Sequence, residues 1–268
     1  MDWRKTKTIF ILTFLVLNIF LGAKILDKRE KSQLELLAEA STEEKFEVDE
    51  ITYADLPKAP SKESYISGSS YVFTDDDVKK LMEEKGQEVK RIDETTIHAE
   101  WKEPIALPET NMTSKLHTIF QDQILFADQY KFWGFNPVSN TLYFFQQYDG
   151  KHIYSNSSGM VTVQLNELGE IVAYMQTYIT DLEEMDVEQD VISVFNALEN
   201  LYNSGDLRSR SHVSHMELGY YTLLDNTNSH VLIPTWHIVI NENKNLEQDF
   251  FVNAFEGSII KKDNRTLE

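Results

Sequence analysis

The stretch RSRSHVSHMELG, residues 208–219, holds the closest grouping of side chains able to do chemistry. His212 and His215 stand at H-x-x-H spacing, and Glu217 follows two residues later. Two imidazoles and a carboxylate are ligands for a borderline-soft cation such as zinc. A metalloprotease helix, however, carries its glutamate between the histidines as H-E-x-x-H. Here the stretch runs from a loop into a strand, so no metal is assigned to it. The remaining histidines (His98, His117, His152, His230 and His237) are scattered, and the last two sit in the strand-like run SHVLIPTWHIVI, where packing or surface exposure is the expected role.

Other chemistries fare no better. The chain has no cysteine, which removes thiol nucleophiles, iron–sulfur clusters and thiolate zinc sites. It has no G-x-S-x-G, S-x-x-K or phosphate loop. Carboxylates are plentiful, but nothing ties two of them across a cleft as glycoside hydrolysis requires. The triplet Asp75–Asp77 lacks the alternating spacing of a calcium loop and reads as a helix start. The expectation is a protein without catalytic residues, metal or cofactor.

The elements around these residues suggest an α+β chain. Thr74 caps a helix containing Val78, Leu81 and Met82, with Asp77 at the third position of a capping box. TTIHAEWKEPIAL is strand-like. The segment 113–133 then supplies a helix or helical turns with apolar positions at Leu116, Ile119, Phe120, Ile124, Leu125 and Phe126. A meander follows: TLYFFQQY, a DG turn at 149–150, KHIYSN, MVTVQLN and IVAYMQTYI. A second helix is expected over MDVEQDVISVFNALENLYNSG, with Asp186 as N-cap, Gln189 at its third position and Gly205 at its end. The strands HMELGYYTLL, HVLIPTWHIVI and DFFVNAF close the chain, joined by turns DNTN and NENKN. Pro234 inside the middle one predicts an edge or bulged strand. The aromatic side chains of the meanders, among them Tyr143, Phe144, Phe145, Tyr148, Tyr220 and Tyr221, read chiefly as cross-strand packing.

This order divides the chain into two related modules, each a helix packed on an antiparallel β-meander, at residues 71–180 and 181–268. Residues 27–70 read as a charged stalk and a linker with one short strand, marked by Pro57, Pro60 and Gly68.

The N-terminus, MDWRKTKTIFILTFLVLNIFLGAKILDKRE, is apolar from Thr8 to Leu26 apart from Lys24. Nineteen helical residues would span about 28 Å, close to a bilayer core of roughly 30 Å. No small-x-small cleavage site follows, so the reading is a retained single-pass transmembrane helix at 8–26 rather than a signal peptide. Residues 1–7 are then cytoplasmic and the C-terminal part extracytoplasmic, with the protein localised to the cell membrane. Thr13 and Asn18 interrupt this helix with hydrogen-bonding groups and are the candidate contacts to a transmembrane partner.

The chain carries 25 basic and 44 acidic residues, a net charge of −19. Such an acidic protein is a poor partner for nucleic acid, whose binding depends on neutralising phosphates.

Taken together, the opening MDWRKTKTIFILTFLVLNIFLG, the helix end at Leu201-Tyr202, the triplet Gly219-Tyr220-Tyr221 and Pro234-Thr235-Trp236 resemble the YycI family of low-GC Gram-positive bacteria. The resemblance runs over essentially the whole chain, with little information in residues 30–70. It implies a non-enzymatic accessory regulator that works with a YycH-like partner on a WalK-like sensor histidine kinase, and so on cell-wall homeostasis through its response regulator. Contacts between transmembrane helices, assisted by the exported domains, are implied for that regulation. The alternative is a membrane-anchored extracytoplasmic enzyme or ligand-binding protein acting at the cell wall, which requires a pocket with convergent polar groups.

Overall fold

The computed structural model describes residues 3–107, 112–121, 123–222, 228–241 and 247–260. Helix α1 (Trp3–Val48) leads into strands β1 (Thr52–Tyr53) and β2 (Lys62–Ser70). Helix α2 (Asp75–Glu84) precedes β3 (Gln87–Arg91) and β4 (Ile97–Ala106), and α3 (Met112–Gln121) precedes a short 3-10 turn at Ala127–Gln129. Six strands follow: β5 (Tyr130–Asn136), β6 (Thr141–Tyr148), β7 (Lys151–Tyr154), β8 (Met160–Leu165), β9 (Glu170–Gln176) and β10 (Ile179–Asp190). Helix α4 (Val194–Ser204) then leads to β11 (His212–Thr222), β12 (Ser229–Asn241), β13 (Glu247–Asn253) and β14 (Ile259–Ile260). The expected turns DNTN and NENKN fall largely outside the described residues.

The strands form one hydrogen-bonded network whose main path runs β10-β2-β12-β11-β7-β6-β8-β9-β4-β3. The α+β class holds, but the sheet is mixed rather than antiparallel. β11 pairs in parallel with β1 through Thr52 and His212, and with β7 through Tyr220 and Ile153. Both pairings join distant parts of the chain, which a reading by successive hairpins does not reach. The DG hairpin does form: Asp149 and Gly150 have φ of 49° and 75°, the pair of positive values a two-residue type I′ turn requires. β7 leaves β6 after two paired positions and crosses to β11, stitching the two halves of the sheet together.

Two apolar layers cover the sheet. Leu116 and Phe120 of α3 pack on Leu142, Phe144, Val161, Val163, Ile171 and Tyr174 of the meander. Phe195, Leu198 and Leu201 of α4 pack on Val213, Met216, Trp236, Ile238, Ile240 and Val252 of the C-terminal strands. Between them, Glu63 of β2 accepts from Lys151 Nζ and, at 3.0 Å, from the Tyr220 hydroxyl, tying β2 to β7 and β11.

Local signals explain some ends. The Thr74 side chain accepts from the Asp77 amide at 3.2 Å, while the Asp77 carboxylate accepts from the Thr74 amide at 2.8 Å, so the capping box is reciprocal. α4 ends at Gly205, whose φ of 83° is a left-handed cap. Its start differs from expectation. Residues 186–190 belong to β10, where Val187 is exposed, and Ser193 rather than Asp186 is the N-cap, accepting from the Asn196 amide at 3.1 Å. Pairing of β10 with β2, from Ile179 and Ser70 to Asp190 and Lys62, outweighs the helical spacing of those valines.

Pro234 is not on an edge. β12 pairs with β2 through Leu232 and with β13 from Thr235 onward, so the proline sits where one neighbour gives way to the next. The N–H it lacks falls in the interval where that side has no ladder partner.

α1 corrects the expected membrane topology. Among the described residues no helix is long and apolar enough to cross a membrane. The single-pass transmembrane helix at 8–26 does not stand, nor do the cytoplasmic N-terminus and the membrane localisation that rested on it. The opposite end of α1 is embedded in the fold. Phe46 is fully buried against Phe195 and Tyr202, and Thr42 Oγ1 donates to Glu199 at 2.6 Å. Tyr202 donates to Asp49 at 2.6 Å just beyond the helix.

Candidate histidine–carboxylate site

Strand β11 alternates sharply across the sheet. Met216 and Leu218 face the α4 core, while His215, Glu217 and Gly219 lie on the opposite face. Glu217 is directly opposite His237 of β12, and His237 is next to Phe251 of β13. His152 and Tyr154 of β7 reach the same face. Trp133 covers the group from β5, at the bulge between Phe132 and Gly134, with ring centroids 4.8 Å from His237 and 5.6 Å from His152.

Glu217 is the hub. Its Oε1 accepts from His152 Nδ1 at 2.8 Å and from the Tyr154 hydroxyl at 3.0 Å, and its Oε2 lies 3.4 Å from His215 Nε2. Burial pushes the carboxyl pKa up, but the bond and charge of His152, the Tyr154 hydroxyl and His215 outweigh it and hold the carboxyl at about 2. Burial, and then the Glu217 charge, push the Tyr154 phenol upward, so it stays a donor. His237 makes a second contact to a carboxylate, Nε2 to Asp249 Oδ1 at 2.7 Å.

A folded pKa below the ordinary value near 4.5 means that the unfolded chain binds the extra proton first. The stabilisation from Glu217 is therefore fully present above that ordinary value and disappears as the pH falls towards about 2. Denaturant unfolding of the chain and its Glu217→Gln variant from neutral pH downward should show a constant gap that closes in this window. A gap independent of pH would contradict the assignment.

Of the two histidines that stood out by spacing, only His215 joins this group. The His212 ring lies 2.8 Å from Thr52 Oγ1, at the parallel junction with β1. A bulge between Val213 and His215 separates the two histidines in register. His237 and His152 carry no local signal. A hairpin folded about DNTN nevertheless sets Glu217 close to opposite His237, so strand-pairing arithmetic could have found that pair. Asn18 and Thr13 are far from this site in sequence and stand on the exposed part of α1, where the Asn18 amide donates to Phe14 O at 2.8 Å.

A separate open pocket of about 520 Å³ is lined by Ser70, Asp93, Thr95, Thr96, Thr177 and Asn228 with neighbouring side chains. Its one carboxylate, Asp93, accepts from the Thr95 amide and hydroxyl and so closes its own turn.

The family model described as YycI protein matches residues 31–255, most of the chain. The chain belongs to the YycI family. As a member it is a non-catalytic protein with an accessory, regulatory role in a cell-wall system linked to two-component signalling, and it associates with components of that signalling. The YycI match takes in both apolar layers and the Glu217 group. No curated protein matches the chain. Two solved structures are similar to this YycI-family chain. An uncharacterized protein from Eubacterium rectale ATCC 33656 shares 10% identity over 78% of this chain and 89% of its own, with a TM-score of 0.48. The Bacillus megaterium YpeB C-terminal domain shares 14% identity over 71% of this chain and 96% of its own, with a TM-score of 0.45.

Proposed function

We propose that this chain tunes a WalK-like sensor histidine kinase jointly with a YycH-like partner. The observation that carries the reading is the family match over residues 31–255. Such a partner acts by binding the kinase's signalling states with unequal affinity, and a coupling of about 1–3 kcal/mol changes their ratio 5- to 150-fold. No catalytic group is needed for that. The α+β body provides the larger contact surface, and the exposed turns of α1 around Thr13 and Asn18 provide a helix–helix contact to the same partners.

Crosslinking in cells followed by co-purification tests the reading. Recovery of the kinase and the YycH-like protein supports it, and recovery of neither, from a correctly folded chain, removes it. Replacing residues 8–26 by an unrelated helix of equal length separates the surfaces, because retained recovery places the contact in the α+β body. Asn18→Leu is expected to weaken association by roughly 1 kcal/mol, about fivefold. Titration of the purified partners measures this, and an unchanged affinity takes Asn18 out of the contact.

A further inference from the structure

We propose that His215, Glu217 and His237 form a binding site for a divalent transition cation of the zinc class. One ligand atom from each of the three lies within 4.8 Å of the others. The histidine tautomer supports the assignment. An ionised carboxylate only accepts hydrogen bonds, so the 2.7 Å contact to Asp249 places the proton of His237 on Nε2. The lone pair is left on Nδ1, which is buried and has no hydrogen-bond partner among the described residues. His237 is only 3% exposed, so bulk solvent does not reach that nitrogen.

The same division of labour holds at Glu217. His152 and Tyr154 occupy Oε1 and fix the carboxylate, while Oε2 faces His215. Asp249, His152 and Tyr154 thus stand as outer partners that orient the ligands, the arrangement metal-binding histidines commonly have. The His215 side chain is 53% exposed and gives the cation a route from solvent. Two imidazoles and one carboxylate select zinc, cobalt, nickel or copper over calcium and magnesium, which prefer all-oxygen sets. With three protein ligands, water would complete a four-coordinate shell.

The test uses untagged, chelator-treated full-length chain, titrated with Zn²⁺ while thermal unfolding is followed. Co²⁺ is added separately to read the visible absorption of a tetrahedral site. The expected result is a midpoint that rises with Zn²⁺, a tetrahedral Co²⁺ spectrum, and no comparable response to Ca²⁺ or Mg²⁺. His215→Ala, at a half-exposed position that does not threaten folding, is expected to abolish both responses. His212→Ala should retain them. Asp249→Asn is expected to weaken binding about 10- to 100-fold through the orientation of His237. Equal responses in His215→Ala and the parent chain, a response shared by Ca²⁺, or no Zn²⁺ response at all would overturn the site.

Discussion

Trp236→Ala is expected to lower the unfolding free energy by about 3–5 kcal/mol. Trp236 is fully buried among α4 and the C-terminal strands, and its indole N–H donates to Ile192 O at 3.1 Å. Truncation opens a cavity bounded by strands on one side and α4 on the other, so the surroundings close over it poorly. It also strips a donor from a carbonyl in the connection between β10 and α4. A loss of that size is a large fraction of the 5–15 kcal/mol of a typical domain. Chemical denaturation measures it. Trp236→Phe should fall between the two, because it keeps most of the apolar volume and loses the hydrogen bond. A cost below about 1 kcal/mol for the alanine variant would show that α4 contributes little to holding this half together.

Gly219→Ala is expected to cost about 3 kcal/mol by overpacking. A Cβ at this position would stand 2.6 Å from the carbonyl oxygen of His152 and closer still to the Tyr154 ring. The ring could turn only at the expense of its bond to Glu217, and the carbonyl belongs to the backbone of β7. The expected signature is therefore double: reduced stability and a disturbed Glu217 group. Near-ultraviolet circular dichroism of the Trp133–Tyr154 neighbourhood reads the second part. Undisturbed spectra with full stability would show that β7 and β11 are not held at this spacing.

Much of the local structure could be read in the sequence because it is enforced locally. Alternation in MVTVQL and IVAYMQ, the DG turn, the Thr74–Asp77 box and the stop at Gly205 each act within a few residues. What could not be read depends on partners far along the chain. MDVEQD has helical spacing but lies in β10 because β2 offers it a ladder. The parallel junctions of β11 with β1 and β7 leave no periodic trace. The site shows the same split: His215 and Glu217 were visible as neighbours, whereas His237 and His152 arrive through strand pairing. The N-terminal run suggests a membrane span by its total length. Among the described residues, however, no helix is long and apolar enough to cross a membrane.

The docking of the last turns of α1 also has a mechanical meaning. A helix of 46 residues is about 70 Å long, and it is clamped at one end by Thr42, Phe46 and the adjoining Asp49 against α4. Its geometry is that of a lever with a short inner arm and a long outer one. A tilt of about 5° at the clamp would sweep the far end through roughly 6 Å on this length. A push applied at that end is concentrated in turn on Glu199 and Tyr202, two residues of α4, and so on the layer that Trp236 completes.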